Sequence, residues 1–254
     1  MNMLEKAFKA IWQLGLPKIW SYALYQVGLQ TGHYQRVTPS QQDNYQGKPA
    51  LPPFAQFPTL TQEQLRQTLK LADEIQVGRF RPFGGEPKVL DLQIGASDQH
   101  WSILEQIPPE QDIKFIWEPG RFGWALTLAR AYAFSGDPAY AHDFWQKTAI
   151  FLDAHPPNLG RQWQSAQEVA VRLMVLVFCD RVFASDLTPS QRQRLWQAIA
   201  EHARRIPPTL VYARAQNNNH LLTEAAGLFT AGLYLAGHPQ AEKWRHLGLR
   251  WLNW

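Results

Sequence analysis

The chain has 254 residues, 45% of them hydrophobic, with a formal net charge of +4 and one cysteine, Cys179. That length buries a substantial core in one large domain or two small ones. A lone cysteine excludes a disulfide framework or a cysteine-based metal cluster, and basic residues that are scattered rather than clustered speak against nucleic acid while leaving a mild bias toward anionic partners.

The first 29 residues, MNMLEKAFKAIWQLGLPKIWSYALYQVGL, are amphipathic with interspersed lysines. Polar residues interrupt every apolar run long enough to span a bilayer, so no transmembrane segment is expected, and no signal-peptide cleavage site follows. The stretch reads as a helix packing onto the body. Residues 31–58, rich in Gln, Pro and Gly, read as an extended irregular segment. TQEQLRQTLKLADEI starts a helix at Thr61, with Thr61 and Gln64 spaced as a capping box. GRFRPFGGEPKVLDLQIG is Gly/Pro-rich and reads either as a short hairpin or as a surface loop.

From Pro119 the chain becomes a series of helices with short joints. GRFGWALTLARAYAFSG ends on Ser-Gly, and Asp137-Pro138 caps the next helix, which stops at Pro156-Pro157. A third helix is predicted from about Trp163 to Phe183. Its apolar residues run nearly all the way round, as in a helix with protein on both sides, and Cys179 reads there as a small buried hydrophobe. A fourth opens with Thr188 before Pro189, a fifth contains NNNHLLTEAAGL and ends near Gly237-His238-Pro239, and a sixth starts at about Gln240. Similar lengths and tight turns imply antiparallel neighbours in a layered or toroidal helical body. The sixth helix runs to the last residue, Trp254, and is expected to present an apolar patch.

Three groups of residues can carry chemistry. In AQNNNHLL the asparagines outnumber what one helix cap requires, and Asn219 and His220 fall in the first turn, where free N–H groups and the positive dipole end favour an anion. His220 and Glu224, at i and i+4, share a face, so Glu224 is expected to orient the imidazole and raise its pKa. In IWEPGRFGW, Glu118 and Arg121 flank a Pro-Gly turn between Trp117 and Trp124. They read as a structural ion pair, or as a sugar subsite with indoles stacking on pyranose faces and Arg121 on a uronate or sulfate oxygen. In QWQSAQEVAVRL, Gln167 and Glu168 open an apolar helix, and Glu168 is spaced to pair with Arg172. The 11 tryptophans fit either a thick helical core or sugar stacking. If same-direction helices of a toroid gather their polar N-termini at one rim, these groups line one cleft. Glu118, Glu168 and Glu224 also leave open a carboxylate pair for glycoside hydrolysis.

The blocks FRPFGGEP, IKFIWEPGRFGWALTLARAYAFSGD, HPPNLGRQWQSAQEVAVRL and AQNNNHLLTEAAGLFTAGLY follow one another over about residues 78–250. In that order, and above all through WEPGRF and NNNHLLTEAAGL, the chain resembles the heparinase II/III-like polysaccharide lyases in their helical N-terminal region. The resemblance implies an all-α, incomplete α/α toroid of antiparallel helix pairs over residues 78–254 behind a lead-in of residues 1–77. A β-sandwich domain follows in full-length members. It implies β-elimination on uronic-acid polysaccharides, no cofactor, and an acidic polysaccharide as partner.

By position, Asn219 matches the asparagine that neutralises the uronate carboxylate, and His220 the adjacent active-site histidine. Glu118, Arg121, Trp117, Trp124, Gln167, Glu168 and Glu224 are the expected substrate-binding residues. Members also use a tyrosine from a later toroid helix and a histidine from the β-sandwich. Those regions lie beyond Trp254, so the expectation is a truncated toroid with an incomplete active site. A non-catalytic module binding acidic polysaccharide, or a toroidal glycoside hydrolase, are the alternatives. Localisation stays open, cytoplasmic by default and periplasmic by resemblance.

Overall fold

The computed structural model describes residues 15–54, 59–216 and 218–253, and it is all-α. The strands among the described residues are two, of two residues each. Residues 1–14 of the amphipathic start, Asn217, and Trp254 with its expected apolar patch lie outside the described residues.

The lead-in contains α1 (Leu16–Gln30), α2 (His33–Val37) and α3 (Gln62–Gln76). Helix α2 corrects the expectation of an irregular run from residue 31. Five residues nucleate poorly alone, but Tyr34 is buried against Tyr25 and Trp101 with ring centroids 5.3 and 5.4 Å away, and that packing holds the turn. The capping box of α3 forms as its spacing predicts: Gln64 N–H donates to Thr61 Oγ1 at 3.2 Å and Thr61 N–H to Gln64 Oε1 at 2.9 Å. Between α2 and α3, residues 39–54 run as a strap over the helix of residues 189–205 and the C-terminal ends of the helices of residues 166–182 and 219–234. Asp43 N–H donates to Glu201, Ala50 N–H to the Tyr234 carbonyl and Arg181 to the Pro52 carbonyl. The Gly/Pro-rich stretch forms the hairpin β1 (Arg79–Phe80) and β2 (Lys88–Val89), antiparallel with Arg79 opposite Val89.

After a short helix α4 (Ile113–Trp117) come three helical hairpins: α5 (Gly123–Ser135) with α6 (Ala139–Ala154), α7 (Ala166–Val182) with α8 (Pro189–Arg205), and α10 (Asn219–Tyr234) with α11 (Ala241–Leu252). The first members lie side by side, α5 on α7 and α7 on α10, while each second member packs on its own partner. Arg121, just before α5, pairs with Glu168 in the first turn of α7, so these inner helices start at the same end. Arg172 meets His202, and Asp180 meets Arg192, so α8 returns antiparallel to α7. This two-layer arc of inner helices and returning outer helices is the layout of an incomplete α/α toroid.

The inner helices approach closely through glycines. A Cβ at Gly227 of α10 would lie 2.9 Å from Ala170 Cβ of α7. On the opposite side, a Cβ at Gly232 would lie 2.6 Å from Ala241 O and Arg245 N, and one at Gly248 equally close to Ala225 O and Phe229 N. Helix α7 is buried all round, as its sequence predicts: its Leu173 and Leu176 are fully buried, as is Leu128 of the neighbouring α5. Each such side chain stabilises the fold by roughly 1.5–3 kcal/mol. Cys179 is fully buried, and burial pushes its thiol well above the ordinary range, so it packs rather than reacts.

Three helix boundaries differ from expectation. The third helix begins at Ala166 rather than Trp163, because Trp163 closes a 3-10 turn and Ser165 Oγ caps the Glu168 N–H. A separate helix α9 (Leu210–Gln216) precedes the asparagines and is held by α1, where Tyr25 lies 4.4 Å from Tyr212 between ring centroids. Helix α10 stops at Tyr234, short of Gly237. No described helix is long and apolar enough to cross a membrane.

Candidate functional site

The inner helices start at one end of the arc, and the polar residues of all three motifs meet there. The turn before α5 begins at Glu118, runs through the 3-10 segment Pro119–Arg121 and turns left-handed at Phe122, whose φ is 59°. A phenylalanine adopts that conformation only under constraint, here burial of its ring against Phe151 and Trp124 with both centroids 4.9 Å away. Gly120 leaves no room for a side chain, since a Cβ would stand 2.0 Å from Gln162 Oε1.

One buried guanidinium clamps this turn onto α7. Arg172 donates to the carbonyls of Gly120 and Gln162, both at 2.8 Å, and from Nε to His202 Nε2 at 2.7 Å. His202 Nδ1 donates in turn to the Ala198 carbonyl at 2.7 Å, which fixes the tautomer that leaves Nε2 as acceptor. Burial and the adjacent Arg172 push His202 well below its ordinary pKa, so it stays neutral.

Held this way, Arg121 forms a bidentate pair with Glu168 at 2.5 and 2.8 Å and donates to Glu118 at 2.8 Å. The Phe83 N–H donates to the other Glu118 oxygen at 3.3 Å. The Glu168 bond first, and both carboxylates' charges after it, hold the Arg121 pKa above its ordinary value. Two expectations change. Glu168 pairs across the fold with Arg121 rather than along its helix with Arg172, which is already saturated by carbonyls and His202. Arg121 is likewise committed to two carboxylates and is not a free anion receptor.

The asparagines divide as cap and face. Asn218 is the N-cap, its Oδ1 accepting the His220 N–H at 3.0 Å. Asn219 opens the first turn with an exposed side chain that makes no hydrogen bond to a described residue. His220 is half-buried, its ring edge-on to Tyr212 with centroids 6.3 Å apart. Burial lowers its pKa and Glu168 partly offsets this, so the imidazole is neutral at neutral pH.

Glu224 makes no hydrogen bond with His220, and this is a further correction: sharing a helix face does not bring the two together, because Glu224 points inward. It is 1% exposed, its Oε2 has no hydrogen-bond partner among the described residues, and burial pushes its pKa up to about 8 against the pull of Arg205. Gln167 is half-buried with a side chain that bonds no described residue.

The indoles are not open stacking platforms. Trp124 is 2% exposed and donates to the Pro119 carbonyl at 3.0 Å, while Trp117 is half-buried and donates to the Arg161 carbonyl at 3.0 Å. Both hold the turn in place, as indoles beside a backbone carbonyl often do. Tyr212 and Arg205 are neighbours of the site that are not among its expected residues. Tyr212 lies across the helix break from His220. Arg205 is fully buried, bonded to the Trp163 and Gln164 carbonyls and stacked 3.8 Å over Trp101. No local spacing ties either to the asparagine motif. Tyr234, at the far end of α10, bonds Asp180.

Comparison with known proteins bears on the family and the fold. The family described as Heparinase II/III N-terminus matches residues 91–254, so the block FRPFGGEP precedes the matched region. A heparin-sulfate lyase of Pedobacter heparinus is 24% identical over 193 residues, which are 73% of this chain and 27% of that protein. The crystal structure of a heparan sulfate lyase mutant from the same organism shares the fold with a TM-score of 0.60 at 22% identity, covering 100% of this chain and 37% of that one. A heparinase III gene product with methylated lysines gives a TM-score of 0.58 at 18% identity over 96% of this chain and 38% of its own. The chain therefore spans well under half the length of each relative.

Proposed function

The chain belongs to the heparinase II/III family through its N-terminal region, and from that premise we propose that the end of the arc where α5, α7 and α10 begin binds a uronic-acid polysaccharide and takes part in its β-elimination. The relatives it resembles bear the names heparin-sulfate and heparan sulfate lyase. The lyase-like region is taken as residues 78–254, behind the lead-in 1–77.

In β-elimination a base removes the proton at C5, the electron pair left behind forms the C4–C5 double bond, and the C4–O4 bond breaks with O4 leaving as a protonated hydroxyl. The difficulty is the C5 proton, which is acidic only if the neighbouring carboxylate loses its charge or shares it with donors. Asn219 offers neutral amide donors beside the free N–H groups and positive dipole end of α10. His220, neutral and half-buried, accepts a hydrogen bond or a proton. Gln167 and Glu118 supply hydrogen-bonding groups along the same face. Glu168 and Arg121 keep the frame rigid, and Glu168 tempers the fall in His220's pKa.

One observation carries this reading: Asn219's exposed amide, which bonds no described residue, sits next to the half-buried His220 at the mouth of a helix that starts among two others. The test is calorimetric binding of uronate oligosaccharides, with absorbance of the unsaturated product followed in parallel. Asn219→Ala is expected to weaken binding by about ten- to hundredfold, as loss of a hydrogen bond to a charged group does. Equal binding by wild type and Asn219→Ala would overturn the assignment. Release of reducing ends without an unsaturated product would favour hydrolysis instead.

A further inference from the structure

A cavity of about 540 Å³ opens between α3, the Arg79–Val89 hairpin and the first turn of α5. Glu118 forms part of its wall and is also the outer carboxylate of the Glu168–Arg121–Glu118 ladder, so the cavity continues the candidate site away from Asn219 and His220. Leu71 and Phe80 present apolar surface to it, the buried Trp124 and Ile75 back that surface, and Gln67 and Thr127 add polar atoms.

The charges on its wall are unevenly matched. Glu74 takes a bidentate pair from Arg81, both bonds at 2.8 Å, and Glu118 is held by Arg121 at 2.8 Å. Lys70 also lines the cavity, is exposed, and forms no ion pair with a described residue. Both carboxylates are thus fixed in place with oxygens that accept from hydroxyl groups, while the Lys70 ammonium, in the field of Glu74 one turn along α3 but bonded to neither carboxylate, stays exposed to an anion. An apolar floor with placed acceptors and a cation suits a pyranose ring that carries an acidic substituent.

We propose that this cavity is an accessory subsite for a carboxylate- or sulfate-bearing sugar unit of the same polysaccharide, with Lys70 contacting the anion. It rests on the reading of the Asn219 end as a uronate site. It adds a second anchoring point, separated from the first by the ion-pair ladder, so its signature is a gain in affinity with chain length.

The experiment is calorimetry on the 254-residue chain with oligosaccharides of alternating glucuronate and N-acetylglucosamine of increasing length, each with and without sulfate. Two variants test the cavity. Lys70→Gln removes the charge. Gly123→Leu fills the space, and because a Cβ at Gly123 meets no atom within 4 Å, the added side chain projects into the opening without displacing the fold. Thermal unfolding confirms that both variants are folded.

In the wild type, affinity is expected to rise about tenfold from the shortest to the longest oligosaccharide, as one charge-assisted contact supplies, and in either variant by less than about twofold. A larger rise with the sulfated series identifies sulfate as the anion, and an equal rise identifies the carboxylate. A length-dependent gain that survives both variants overturns the subsite and leaves the Asn219 assignment standing. Failure of the wild type to bind any of these oligosaccharides overturns both.

Discussion

The two ends of α7 both carry buried ionic groups, yet they are built differently. At its C-terminal end Asp180 is fully buried and its oxygens accept from Arg192 twice at 3.0 Å, from Trp196 at 2.9 Å and from the Tyr234 hydroxyl. That network closes on itself. At the N-terminal end the ladder through Arg121 is closed too, but around it Glu224 Oε2 and Gln164 Oε1 are buried without partners among the described residues, and the exposed Asn219 side chain bonds none of them. Buried polar groups in a stable scaffold find partners, so a concentration of unpartnered ones at one end of the same helix separates a working surface from a framework.

The contrast breaks first at Asp180. Asp180→Ala strands Arg192 and two further donors, and is expected to cost about 3–5 kcal/mol of stability in denaturant unfolding. A loss below about 1 kcal/mol would mean that the closed network is no more structural than the open one.

Glu224 gives the opposite sign. Its folded pKa of about 8 lies above the ordinary carboxyl value of 4.5. The folded state therefore holds the proton over a range where the unfolded state has released it. Its contribution to stability is complete below about pH 4.5 and falls as pH rises toward about 8. Glu224→Gln lacks this titration, so the variant is expected to gain on the wild type across that window and run parallel to it above. Parallel curves from pH 4 to 9 would show that Glu224 is not buried as described.

The smallest effect belongs to Gln164. Gln164→Leu removes a side-chain oxygen that bonds nothing, and should change stability by less than about 1 kcal/mol in the same unfolding assay. A large destabilisation would place Gln164 among the structural groups.

Much of the helical order was legible from local chemistry. Thr61 with Gln64 forms the capping box its spacing suggests, Thr188 opens its helix as expected, and the all-round apolar pattern of about residues 163–183 marks a helix with protein on both sides. The site was legible only in part. Spacing within one helix pointed from Glu168 to Arg172 and from His220 to Glu224, whereas the actual partner of Glu168 is 47 residues away. Residue spacing along a helix reveals shared faces but not which neighbour lies across them. Trp124 likewise reads as a platform beside charged residues until the left-handed turn at Phe122 carries it inward. Helix α2 exists because distant aromatic rings cover Tyr34, which no five-residue window contains.

The glycines of α10 bear on the site without approaching it. Gly227 rests on α7, while Gly232 and the opposing Gly248 bring α10 and α11 together at two points along their length. A helix held by contact on two sides behaves like a keyed shaft: it cannot turn about its own axis without driving backbone into backbone. The direction in which Asn219 and His220 face is therefore set several turns away, by residues chosen for having no side chain. Enlarging one of them would rotate the mouth of the helix and misdirect both side chains while leaving every group at the mouth chemically intact.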